Sequence, residues 1–126
     1  MEFFILLCML FMHIVDDYYL QGVLAQMKQR AWWDKNAPDD MYKYDYLMAL
    51  FTHAFSWSFM TMLPVGVFFF IGGQTIGLPF AVMLIGNTIV HATTDNLKAN
   101  FKEINLCQDQ GIHFLQVIGT WWVLVI

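Results

Sequence analysis

The sequence predicts an all-helical polytopic membrane protein, a single domain over residues 1–126 with four transmembrane helices in an antiparallel bundle. Three observations carry that expectation. Hydrophobic residues make up 59% of the 126-residue chain and charged residues 13%, about half of the ~25% charged share usual in soluble domains. Such a composition cannot cover a surface facing water. Four stretches of about 20 residues each are predominantly apolar, the length that a ~30 Å hydrocarbon core demands. All six basic residues fall either after the first stretch or after the third, the asymmetry that orients membrane helices.

The first span is read from about Phe3 to Ala25, with helix continuing towards Arg30. Glu2 is acidic and no small-x-small site follows the apolar run, so this segment reads as retained rather than as a cleavable leader. The connection "RAWWDKNAPDDMYKYDY" mixes Trp32, Trp33, Tyr42, Tyr44 and Tyr46 with charges, a composition suited to the headgroup layer. The second span is read from Asp45 to residue 71, ending at Gly72-Gly73, with Pro64 as a kink that membrane helices tolerate. The third runs from Leu78 to Lys98 with Pro79 in its first turn, where a missing amide costs little. The fourth runs from Leu106 to Ile126, and Asn105 with Gln108 forms a capping-box pattern at its start. Lys28, Arg30, Lys35 and Lys43 follow the first span, Lys98 and Lys102 the third, and "GGQTIGLP" carries no basic residue. The first and third connections are therefore expected in the cytoplasm and both termini on the other side. Cys8 and Cys107 lie in apolar runs without CxxC spacing and read as buried, inert thiols.

Against this apolar background the polar residues fall into stripes. His13 and Asp17 are four apart and share a helix face, with Gln21 extending it and Lys28 nearby. Asp16 points about 100° away from Asp17 on a regular helix. His91, Asp95 and Lys98 form a second stripe, Asp109 and His113 with Gln116 a third, and the second span adds His53 alone. Each span thus carries one of the four histidines. At ~1.5 Å of rise per residue, counted from the cytoplasmic ends, these groups fall in one layer. A four-helix bundle could bring them together inside.

Histidine nitrogens and carboxylate oxygens suit zinc, manganese or iron. His13, Asp17, His53, His91, Asp95, Asp109 and His113 are the expected metal ligands, for one ion or for two sharing a carboxylate. Three other readings compete. One is a hydrogen-bonded network that fixes helix register. Another is haem ligated by histidines of different helices, which a carboxylate one turn from three of the histidines fits poorly. The third is a proton or ion pathway.

Taken together the motifs resemble a bacterial and phage family of small membrane proteins, domain-of-unknown-function family 3307. "HIVDDYYLQ" matches its His-x-x-x-Asp-aromatic-x-Leu-Gln pattern, with Tyr18 at the aromatic position. His53 resembles its lone second-helix histidine; His91, Asp95 and Lys98 its His-x-x-x-Asp-x-x-Lys; Asp109 and His113 its Asp-x-x-x-His. The resemblance covers nearly the whole chain. It implies the four-helix fold, the site and a bacterial inner membrane, but no reaction. Asp16 lies outside the pattern.

The functional expectation is a metal-dependent hydrolase acting on a lipid-linked phosphate or ester at the cytoplasmic leaflet. A metal lowers the pKa of bound water to about 7 and polarises the reacting oxygen. His53 would be a ligand or general base, and Lys28 and Lys98 would pair with the substrate's anionic group or snorkel to the interface. No nucleophilic-serine signature or glycine-rich phosphate loop is present, which removes acyl-enzyme and P-loop chemistry. The alternatives are a metal or proton transporter, which four short spans would support only by oligomerising, and a haem-binding or structural adaptor protein. Six basic residues in a chain of net charge -4 give no basis for nucleic-acid binding.

Overall fold

In the computed structural model, which describes all 126 residues, every regular element is a helix and there is no strand. Helix α1 (Glu2–Ile14) buries Ile5, Leu6, Met9 and His13, a single stripe at helical spacing. It continues as a wider π turn over Val15–Leu20. The helical run then stops short of the expected Ala25, because Gly22 takes φ 51, a left-handed conformation that ends a right-handed helix. The connection folds into two short helices, α2 (Leu24–Met27) and α3 (Arg30–Asn36), and a 3₁₀ turn at Asp40–Tyr42. Trp33 ties it together: its Nε1 donates to Met27 O at 2.7 Å and its ring stacks on Tyr42.

Three long helices follow. Helix α4 (Asp45–Ile71) passes Pro64 without interruption and ends where Gly72 caps it and Gly73 turns the chain at φ 67. Helix α5 (Leu78–Asn96) begins with Pro79 in its first turn and runs on as a π turn over Leu97–Phe101. Helix α6 (Leu106–Val125) opens with the expected capping box: Gln108 N donates to Asn105 Oδ1 at 3.0 Å, and Asn105 N to Gln108 Oε1 at 2.9 Å. The expected bounds of the last three helices therefore hold to within a few residues.

Pairs across the helices give the topology. His13 meets Trp57 and Asp16 meets Ser56, so α1 and α4 are antiparallel. Met62 meets Asn87 and His53 meets His91, so α4 and α5 are antiparallel. Asn87 meets Thr120 and Lys98 meets Asp109, so α5 and α6 are antiparallel. Trp121 Nε1 donates to Glu2 O and His13 meets Gln110, closing the bundle between α6 and α1.

The interior is layered. At the end holding both termini, Ile5, Leu6, Met9, Val65 and Val117 form an apolar core with Trp57 as its last member. Beside that core Asn87 donates to Thr120 Oγ1 at 2.7 Å, and Gln116 donates to Asn87 O at 3.0 Å. The histidines and aspartates follow, then Lys28 and Lys98 at the far end. Much of the exterior is apolar: Phe3, Phe11, Phe55, Ile85, Leu115 and Trp122 are all exposed.

Two helical runs, Glu2–Leu20 and Asp40–Ile71, are long and apolar enough to cross a membrane. The sequence expectation was four. Helices α5 and α6 have the length, with 19 and 20 residues, but they carry the polar stripe: Asn87, His91, Thr94 and Asp95 on one, Asp109, His113 and Thr120 on the other, all buried. Those inward residues lower the mean hydropathy of both helices whatever their outer faces meet. The thiols also depart from expectation. Cys107 is exposed and Cys8 only half-buried, because Cys107 sits in the first turn of α6, outside the packed interior.

Candidate metal centre

The four helices deliver all four histidines to one place. His13, His53, His91 and His113 are 0–1% exposed, and Asp17, Asp95 and Asp109 are buried with them. The helical period explains most of this, since each His/Asp pair at i, i+4 turns to the same side. One inward residue was not legible that way. Asp16 is as buried as Asp17, although on a regular helix the two point about 100° apart. Both lie in the π turn Val15–Leu20, whose extra residue per turn shifts the register; such turns recur at functional sites. Asp16 Oδ1 accepts from Ser56 Oγ at 2.8 Å, while its Oδ2 has no partner.

The centre of the cluster is His53. Its Nε2 lies 3.2 Å from His91 Nε2, 3.4 Å from Asp17 Oδ1 and 3.4 Å from Asp95 Oδ2. His91 Nε2 is 3.8 Å from Asp95 Oδ2. Tetrahedral zinc bound at 2.0–2.1 Å places its ligand atoms about 3.3–3.4 Å apart, close to these separations. Charged hydrogen bonds are shorter, at about 2.7–2.9 Å. His53 Nε2 thus has three buried ligand atoms, from the π turn after α1 and from α5, at metal-site spacing around it. Asp17, His53 and His91 form one buried group able to hold a metal ion, and His91, Asp95 and His113 a second.

Charge counts the same way. Four buried carboxylates, Asp16, Asp17, Asp95 and Asp109, face two ammonium groups. Lys28 Nζ binds Asp95 Oδ2 at 2.6 Å and Gln21 Oε1 at 3.0 Å, and Lys98 Nζ binds Asp109 Oδ2 at 2.5 Å. Two negative charges remain uncompensated when the imidazoles are neutral. Removing such charge from water costs several kcal/mol per ion. One divalent cation restores neutrality.

Not every expected ligand is placed to bind. His13 has both ring nitrogens engaged: Nδ1 accepts from Trp57 Nε1 at 2.8 Å, and Nε2 faces Gln110 Oε1 at 3.1 Å. An indole nitrogen can only donate, so Nδ1 carries the lone pair and Nε2 the proton. Gln110 in turn donates to Asp17 Oδ2 at 2.8 Å and to Asp109 Oδ2 at 3.1 Å. His13 therefore holds Gln110, which orients Asp17. Metal-binding centres depend on such outer partners. Lys28 and Lys98, expected to receive a substrate anion, instead neutralise Asp95 and Asp109.

Sequence reasoning passed over Trp57, Gln110 and Asn100. Trp57 lies four residues after His53 and so on its face, and it stacks on His91 with centroids 4.2 Å apart. Gln110 lies three residues before His113. Asn100 accepts from Arg30 N at 2.7 Å and donates to Lys28 O at 3.0 Å, a contact between the first and third connections that no local pattern announces. Haem does not fit. His91 stacks on His113 at 4.0 Å and lies 5.1 Å from His53, centroid to centroid, so the rings touch and leave no slot for a macrocycle between them.

Comparison with family models, curated proteins and solved structures returns no match for this chain.

Proposed function

We propose that the chain is a four-span membrane protein of the bacterial inner membrane that holds a divalent transition metal among Asp17, His53, His91 and Asp95. On this reading it uses the ion to hydrolyse a phosphate or ester of a lipid-linked substrate. The observation that carries the metal is the placing of His91, Asp17 and Asp95 ligand atoms 3.2–3.4 Å from His53 Nε2, all buried. The inside-out arrangement supports the membrane: charge and imidazole lie inside while phenylalanine, leucine and isoleucine face outward on all four long helices. Intramembrane ionisable groups commonly mark function and face the bundle interior. The first and third connections, with all the basic residues, would lie in the cytoplasm. The motifs shared with domain-of-unknown-function family 3307 involve these same residues, which favours membership of that family.

In the hydrolytic role the ion supplies a Lewis acid and a water acidic enough to be ionised near neutral pH. Zinc, manganese and iron all accept this donor set. A cleft of about 400 Å³ opens between α1 and α6, lined by Ile14, Tyr18, Tyr19 and Phe114, with His13 and Gln110 at its base. It is an approach for an amphiphile whose polar end is directed to the cluster. A second reading, metal or proton transport, draws support from the near-complete burial of the four imidazoles.

Elemental analysis of the detergent-purified protein tests the metal: stoichiometric zinc, manganese or iron in the wild type and its loss in His91→Ala. Phosphate or fatty-acid release from vesicles that stops with a chelator supports hydrolysis. Metal uptake into proteoliposomes without such release favours transport. A metal-free, folded wild type refutes both.

A further inference from the structure

Beside the four-atom group lies a second one. His113 Nε2 is 3.5 Å from Asp95 Oδ1 and 3.5 Å from Asp109 Oδ1. All three atoms are buried and none has a hydrogen-bond partner. Their residues are 0–1% exposed. Orphaned buried polar atoms are rare. Here His113 Nε2 faces two of them, one from its own helix and one from α5. The separations are too long for a charged hydrogen bond, about 2.7–2.9 Å. They are close to the ~3.3–3.4 Å edge of a tetrahedral metal site.

Asp95 connects the two groups. Its Oδ2 belongs to the set around His53 and His91, and its Oδ1 faces His113. A carboxylate that turns one oxygen to each of two groups is the geometry of a bridging ligand. His91 and His113, one from each group, stack with centroids 4.0 Å apart, so the two groups are immediate neighbours. We infer that the cluster is a dinuclear centre, with a second divalent ion held by His113 Nε2, Asp95 Oδ1 and Asp109 Oδ1 and with Asp95 as the bridge.

The inference deepens the metal reading above and rests on it. Charge distinguishes the two ions. The first neutralises the cluster; the second leaves it carrying two positive charges. That surplus matches an anionic ligand, a phosphate monoester dianion or a phosphodiester with a hydroxide. The dinuclear form thus selects phosphate esters over neutral carboxylic esters, and the lysines need not contact the substrate.

The test is a count. Full-length protein in detergent is loaded with manganese and dialysed, and metal per chain is measured for the wild type, His53→Ala, His113→Ala and the near-isosteric Asp109→Asn. Two ions in the wild type and one in both His113→Ala and Asp109→Asn are expected. The low-temperature paramagnetic resonance spectrum should change from that of a coupled pair to that of an isolated ion. One ion in the wild type, lost in His53→Ala but kept in His113→Ala and Asp109→Asn, overturns the second site and leaves the first. One ion lost in every variant shows a single shared site and overturns the dinuclear centre. No ion in the wild type overturns both this inference and the reading beneath it. Asp109→Asn alone decides the matter should His113→Ala fail to fold.

Discussion

Lys28 gives the sharpest test of the charge balance. Its side chain is 8% exposed, and its Nζ lies 2.6 Å from Asp95 Oδ2, itself 1% exposed. Breaking a buried ion pair by removing one partner costs about 3–5 kcal/mol, because the other charge stays buried without compensation. Lys28→Met keeps most of the stem and removes the ammonium with its contacts to Asp95 and Gln21. In chelator, where no metal substitutes for the ammonium, Lys28→Met and Asp95→Asn should each lose about 3–5 kcal/mol of stability. The double variant should lose less than the two together, with a coupling of about 2–3 kcal/mol, the upper part of the range for residues in contact. Unfolding in mixed micelles with increasing denaturing detergent, followed by circular dichroism, measures all four corners of the cycle. Added metal should then recover part of the Lys28→Met loss. A coupling below about 0.5 kcal/mol would refute the buried pair and with it the count of two uncompensated charges.

Other perturbations probe separate links. Trp57→Phe keeps a ring over His91 but leaves His13 Nδ1 without its donor; a stability loss of about 1–3 kcal/mol is expected, read in the same unfolding assay. Gly22→Ala has room for its methyl but must hold φ +51, so it should cost about 1–2 kcal/mol without changing metal content. Asn100→Ala removes the contacts to Arg30 N and Lys28 O and should speed proteolysis within residues 28–44, while the long helices stay protected. Metal at 100-fold over its dissociation constant should raise stability by about 2.7 kcal/mol, and a thermal melt that does not respond to chelator and re-addition would contradict a bound ion.

The helices of this fold were more legible than its site. Pro79, the Asn105–Gln108 box and the Gly72-Gly73 turn are local signals, and each marks a helix end in the structure. The gathering of the histidines followed from the i, i+4 pairs, because that spacing turns each pair to one side of its own helix. What failed was anything set by tertiary contacts or by departure from the regular helix. Gly22 ended the first run at a left-handed residue, and the π turn brought Asp16 inward where a 100° period turned it away. His13 looked like a ligand by spacing, yet Trp57 and Gln110 from two other helices claim its nitrogens. Spacing places a residue on a face; it does not say which neighbour reaches that residue first.

The indole of Trp57 is wholly buried and lies between the imidazoles and the apolar residues toward the termini. Toward the termini the ring meets packed, buried side chains, whereas Lys98 at the opposite end keeps 27% of its side chain exposed. The centre is therefore closed toward the termini and reached from the lysine end or through the side cleft between α1 and α6. If the chain spans the bilayer as proposed, a chelator unable to cross it should strip the ion from the lysine face and spare it from the other. Vectorial passage through the bundle would require this ring to swing aside.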